Sequence, residues 1–217
     1  MEPSAEAKVY SLFALAMALT ALGVYLGIQF TSVLFASGIH FFFLIAELAI
    51  IFTSGFWAKR YPLNYLLFGA FPLLSGFTIT PYILYVLAGY ANGASIVLNA
   101  AAATVFMAAA AGVFVRSSGI SMASLGGVLF MSLVGLVVLA IAQIFVPALQ
   151  TGQFELIISG AGVIIFALFT AFDLERVRHL ARAGASPFML ALSLYLDIFN
   201  LFLYVLRLMI AISGERR

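Results

Sequence analysis

Five ionisable residues stand inside stretches otherwise apolar enough for lipid: Asp173, Asp197, Arg207, Glu47 and His40. Asp197 and Arg207 share one such stretch, "ALSLYLDIFNLFLYVLRLM" (191–209). Placing one charge at bilayer depth costs about 2.5–3.5 kcal/mol on insertion scales, so each needs a partner or a wet cavity. Two carboxylates within ~4 Å repel by about 4 kcal/mol at an effective dielectric near 20. Sharing one proton removes that repulsion, so an Asp173–Asp197 pair would titrate as a unit near neutral pH and act as a pH sensor. Carboxylate oxygens also suit calcium, which takes about six to eight oxygen ligands. Two or three carboxylates would hold it weakly, and weak, transient binding fits permeation better than storage. The sequence leaves open a static buried ion pair, a solvated helix end or an arginine partner at Asp173, or a gate at the cytosolic mouth.

Helical spacing sharpens the pattern. At 100° per residue, Ser193, Asp197, Asn200, Tyr204 and Arg207 fall within an arc of about 80°, a polar stripe on a greasy cylinder. Asp197 and Arg207 lie about 15 Å apart along that axis and need partners on other helices. Glu47 is the first candidate partner for Arg207. His40, Glu47 and Ser54 line one face of an earlier run, where His40 reads most simply as a hydrogen-bonded or interfacial histidine. Glu2, Glu6, Glu155, Glu175 and Glu215 fall at ends or loops and call for no partner.

The elements that position these residues follow from composition. Of 217 residues, 65% are hydrophobic and only 8% charged, with a mean hydropathy of +1.20. Soluble domains carry roughly 25% charged residues, so lipid must cover much of this chain. An all-α, multi-pass membrane protein is expected, one transmembrane domain over 1–217. Spans of about 20 apolar residues are read at 9–30, 35–57, 62–89, 94–115, 121–147, 154–173 and 187–212, a seven-helix bundle. Pro72 and Pro81 predict kinks in the third span, and the small residues of "GVYLG" (23–27) and of the alanine-rich fourth span predict close helix packing. The start, with two glutamates and Lys8, lacks the basic region of a cleaved signal, so the first span is expected to be retained.

Lys8, Lys59, Arg60, Arg116, Arg176, Arg178 and Arg182 fall on one side if the N-terminus is inside, and the opposite loops near 31–34, 90–93 and 148–153 carry no lysine or arginine. A cytoplasmic N-terminus is expected, in the inner membrane if the cell is prokaryotic. Seven spans would leave Arg216 and Arg217 on the opposite side. The absence of cysteine excludes disulfides and thiolate chemistry, and the chain offers too few nitrogen or sulfur ligands for a transition-metal site. No cofactor and no nucleic-acid partner are expected; calcium ions and the lipid bilayer are.

The tail carries a resemblance. "FDLERVR" closing the sixth span, followed by "ALSLYLDIFNLFLYVLRLM", resembles the transmembrane Bax-inhibitor-motif family, and "KVYSLFALAMALTALGVYLG" and "SGFTITPYILY" look like that family's first and third spans. The resemblance implies a seven-helix bundle with a central last helix and a pH-sensitive calcium leak. It also implies a carboxylate pair of Asp173 and Asp197, a basic latch for which Arg60 is the choice beside Lys59, Glu47 as the second-span acid, and Arg207 on the last helix. The chain departs from the family's tyrosine–aspartate–threonine–glutamine at Phe172, Leu174 and Glu175, while keeping Asp173, and the charge that Glu175 adds bears on titration.

Rival classes fare less well. A retinal protein needs a lysine in its last helix, and the lysines are Lys8 and Lys59. Asp197 lacks the glycine-rich turn of intramembrane aspartyl proteases, and "NGAS" with His40 is a poor rhomboid match, so an enzyme is not expected. A proton-coupled transporter would use the same aspartates and kinked helices. A non-transporting regulator of proteases or of cell-death and stress partners is the other alternative, its protein partners unidentified.

Overall fold

The computed structural model describes residues 4–32, 38–117 and 121–214, apart from the side chains of His40 and Ala123. The expectations for Glu2, Glu215, Arg216, Arg217 and the His40 side chain lie outside the described residues. Those residues form helices α1 (Ala5–Gln29), α2 (Ile39–Phe52), α3 (Ser54–Trp57), α4 (Leu63–Gly89), α5 (Gly93–Ser117), α6 (Gly126–Phe145), α7 (Gly152–Leu180) and α8 (Pro187–Ser213), with short 3-10 turns at Met122–Leu125 and Pro147–Leu149. No strand appears among them. Helices satisfy every backbone group within the segment, which the bilayer interior requires. The chain is a multi-pass membrane protein.

Six helices, α1 and α4 to α8, are long and apolar enough to cross a membrane. The expected second span, 35–57, begins outside the described residues and is interrupted. Helix α2 has 14 residues, about 21 Å against a hydrocarbon core of roughly 30 Å. Thr53 breaks the run with φ −93° and ψ 3°. Its hydroxyl and its backbone N–H both donate back to the Ala49 carbonyl, at 2.6 and 3.0 Å. The buried Trp57 then folds back, its Nε1–H donating to Ile50 O at 2.9 Å. The expected sixth span also differs, because α7 continues two turns past Asp173 to Leu180.

The chain divides into two compact units, 1–88 with 177–195 and 89–176 with 196–217. In the first, α1 packs on α4 through glycine. A Cβ on Gly23 would collide with the Leu73 carbonyl oxygen, one on Gly27 with the Thr80 side chain, and one on Gly76 with the Thr20 carbonyl oxygen. Such contact brings the two backbones close enough for dispersion to hold them in lipid. Leu19 lies beside Gly69, Gly23 beside Leu73 and Gly76, and Gly27 beside Thr80. The indices rise together, so α1 and α4 run in the same direction. The N-terminal part of α8 runs that way too: Phe188 meets Tyr65 and Phe68, and Tyr195 meets Phe71. Pro72 and Pro81 lie inside a continuous α4. Hydroxyls near them bond back within the helix, Ser75 to Phe71 O at 3.1 Å and Thr80 to Gly76 O at 2.8 Å. Tyr195 is fully buried, its hydroxyl 2.7 Å from Thr20 Oγ1.

The second unit holds α5, α6, most of α7 and the C-terminal part of α8. Among the candidate spans α8 is the most buried, 56% of its most apolar stretch against at most 39% elsewhere.

The glycine seam yields a prediction. Gly76→Val should destabilise the protein by at least about 1–3 kcal/mol through overpacking against α1. Gly135→Ala, where no atom lies within 4 Å, should be neutral. The midpoint of denaturation in detergent checks both, and equal midpoints would remove the close-packing account.

Candidate functional site

Helices α7 and α8 carry most of the buried charge, and their contacts define one geometry. Asp197 is within hydrogen-bonding reach of Asp173, Tyr204 stacks on Phe166 at 5.4 Å between centroids, and Arg207 bonds Glu155. One index rises as the other falls, so the helices are antiparallel. Asp197, Tyr204 and Arg207 of the stripe read on the last helix therefore face α7, with ionic groups near both ends of the shared seam.

The first centre is the carboxyl pair. Asp173 and Asp197 are 3% and 8% exposed. Arg176, one turn beyond Asp173, donates from NH1 to Asp173 Oδ1 at 2.7 Å. The same guanidinium lies 5.4 Å from the centre of the Phe172 ring, a cation–π distance. Its side chain is 39% exposed, so the ion pair links a buried carboxylate to a water-reaching base. Asp197 lies within Coulombic range of Arg176 as well. One oxygen of each aspartate, Oδ2, is buried and accepts no hydrogen bond among the described residues. Buried polar atoms are satisfied in the great majority of cases. Two such oxygens on adjoining acids are suited to holding a proton between them or to a brief contact with a hard cation. Among the described residues no group of three or more His, Cys, Asp or Glu side chains is arranged to hold a metal ion. Burial of Asp173 removes the solvated helix end from the alternatives.

The second centre corrects two expectations. Arg207 meets Glu155 rather than the anticipated Glu47: its Nε and NH2 donate to Glu155 Oε1 and Oε2 at 2.7 and 2.9 Å. Such a forked pair is the strong form of the interaction. Gln143 completes it, its Nε2 donating to Glu155 Oε2 at 3.0 Å and to Leu149 O at 3.2 Å. Glu155 is thus no incidental loop acid; it stands in the first turn of α7, where the helix dipole favours an anion. The antiparallel seam explains the pairing, since it sets the start of α7 beside the end of α8. Between the centres, the Tyr204 ring fills the space over Gly162 that any Cβ would occupy, and Arg207 lies 5.4 Å from that ring's centre.

The remaining candidates are placed as follows. Glu47 is half-buried in the first unit and accepts from Thr78 Oγ1 at 2.7 Å. Asn200 donates from Nδ2 to Leu196 O within its own helix at 2.7 Å, and Ser193 is half-buried. Arg60 is exposed in the turn between α3 and α4. Glu175 accepts the Met122 N–H at 2.5 Å, holding the start of the 3-10 turn before α6. Arg176, Glu155 and Gln143 were not singled out from the sequence. An antiparallel pairing of the last two spans would have found the first two, because it sets acids and bases of one span against those of the other.

If the Arg207–Glu155 pair is a coupled unit, Glu155→Gln and Arg207→Gln should each destabilise by about 1–3 kcal/mol, the cost of leaving a charged partner unsatisfied. The double variant should lose clearly less than their sum. Denaturant midpoints of the four proteins measure this, and strict additivity would show the pair to be uncoupled.

Comparison with known proteins matches the chain to a family. The model described as "Inhibitor of apoptosis-promoting Bax1" matches residues 4–214. An uncharacterized protein of Helicobacter pylori is 30% identical over 208 residues, covering 95% of this chain and 86% of that protein. One of Campylobacter jejuni is 29% identical over 204 residues, covering 93% and 86%.

Proposed function

The chain belongs to the Bax inhibitor-1 family, and on that premise we propose that it is a calcium-permeable leak pathway whose opening is set by protonation of Asp173 and Asp197. One observation carries the reading: two adjoining, buried aspartates on antiparallel helices each keep an unsatisfied oxygen. A static structural pair gains nothing from two like charges, whereas a proton-controlled contact needs both. With one proton shared, the pair would join α7 to α8. With both ionised, it would repel across the same seam. Arg176 supplies the counter-charge in this reading, and Arg60, the latch that the resemblance implies, would act from the α3–α4 turn. Calcium would pass by brief contact with these carboxylates, held too weakly for storage.

Seven crossings belong to the same proposal. Helices α1 and α4 run in one direction, as their rising contacts indicate. A chain that crosses twice in one direction must return between the two, and residues 30–62 are the segment available to do so. The lysine and arginine distribution supports a cytoplasmic N-terminus, and relatives in Helicobacter and Campylobacter support a bacterial inner membrane as its place.

Calcium flux into liposomes containing only this protein, followed from pH 5 to 8, tests the reading. The wild type should exceed empty liposomes and vary several-fold with pH, while Asp173→Asn and Asp197→Asn should flatten that variation. Flux equal to empty liposomes at every pH would sink the leak reading in favour of a non-transporting regulator. Flux that saturates at low turnover and requires a proton gradient would assign the aspartates to a transporter instead.

A further inference from the structure

A cavity of about 350 Å³ in the first unit lies at the ends of three helices and shares no residue with either ionic centre. Its lining comes from the start of α1 (Lys8), the α3–α4 turn (Ala58 and Lys59), the first turn of α4 (Asn64) and residues 184–188, where α8 begins. Two lysines line it and no acid does. Among the described residues neither lysine has a carboxylate partner. The neighbouring acid is already engaged: Glu6 accepts from Arg182 Nε at 2.8 Å. Two lysines facing one cavity without an acid repel one another, an arrangement that an anion relieves.

Asn64 adds a further donor. Asn64 turns its Oδ1 to the Tyr65 N–H at 3.0 Å, which leaves its amide N–H groups for another acceptor. Ser186 donates to Ala58 O at 3.0 Å and is 9% exposed, so the α8 start is tied to the end of α3. The first turn of α8 presents unpaired N–H groups and the positive end of a 27-residue helix, which favours an anion. Beside the cavity, Tyr61 and Tyr65 are 83% and 50% exposed and pack edge to face at 6.1 Å. Exposed tyrosines of this kind mark the headgroup level of a bilayer.

We propose that this cavity binds a phosphate group, with the Lys8 and Lys59 ammonium groups and the Asn64 amide as its donors. An anionic lipid headgroup is the source that the flanking tyrosines favour, since basic pockets between transmembrane helices hold such headgroups. A soluble phosphate ester offers the same chemistry. The site stands independently of the calcium reading, because none of its lining residues belongs to either ionic centre.

Trp57, the sole tryptophan, is buried next to Ala58 and Lys59 and serves as a built-in reporter. The full-length protein in neutral detergent is titrated with short-chain phosphatidylglycerol, with the matching phosphatidylcholine and with inorganic phosphate, while Trp57 emission is followed. Phosphatidylglycerol should shift the emission saturably and at least tenfold more tightly than phosphatidylcholine. The variant carrying Lys8→Ala and Lys59→Ala should lose at least tenfold in affinity, and the one carrying Lys8→Arg and Lys59→Arg should retain binding. Lys59→Gln alone, at an exposed position, provides the same comparison with least risk to folding. Inorganic phosphate that competes at sub-millimolar concentration, with the same dependence on the lysines, would support the site and assign it to soluble esters. Equal binding of the two lipids, or wild-type affinity in the alanine and glutamine variants at unchanged helix content, would overturn it.

Discussion

Everything in the second unit turns on one constraint: a charge placed at bilayer depth must meet its match on another helix. At about 2.5–3.5 kcal/mol per unmatched group, Asp173, Asp197, Glu155 and Arg207 would together oppose insertion strongly. The antiparallel seam of α7 and α8 meets the constraint at both ends. Glu155 and Arg207 form a closed, forked pair buttressed by Gln143. The two aspartates do not close. Arg176 bonds Asp173 alone, and each aspartate leaves one oxygen over. This asymmetry distinguishes them in kind: one end is a closed clamp, the other a pair with acceptor atoms left over.

The first unit obeys a different rule. With apolar lipid on one side and apolar helix on the other, burial of greasy surface gives little net drive, and close approach has to supply it. Gly23, Gly27 and Gly76 allow that approach between α1 and α4. Tyr195 then anchors the N-terminal part of α8 with an aromatic contact to Phe71 and a hydroxyl contact to Thr20. Helix α8 thus begins in a packing seam and ends in an ionic one.

Much of this was legible in the residues. Long apolar runs marked most of the helices to within a few positions. Thr53 looks like any other residue of an apolar run, yet the helix breaks there and α3 is split off. The polar stripe of the last helix was legible because spacing along one helix is a property of one segment. The partner of Arg207 was not, because pairing is a property of two segments and their relative direction. Glu155 read as a loop acid for the same reason: proximity to a boundary in sequence hid its position opposite Arg207. Arg176 was counted among the basic residues that mark the water boundary, although it also reaches back to Asp173.

The central claim is that Asp173 and Asp197 share one exchangeable proton. Infrared difference spectroscopy on the protein in lipid, between acidic and alkaline pH, observes that proton directly. The account predicts a carbonyl band of a protonated, buried carboxylic acid that appears and disappears with pH and is lost in both Asp173→Asn and Asp197→Asn. A spectrum in which that band is absent at every pH, or survives unchanged in either variant, would contradict it.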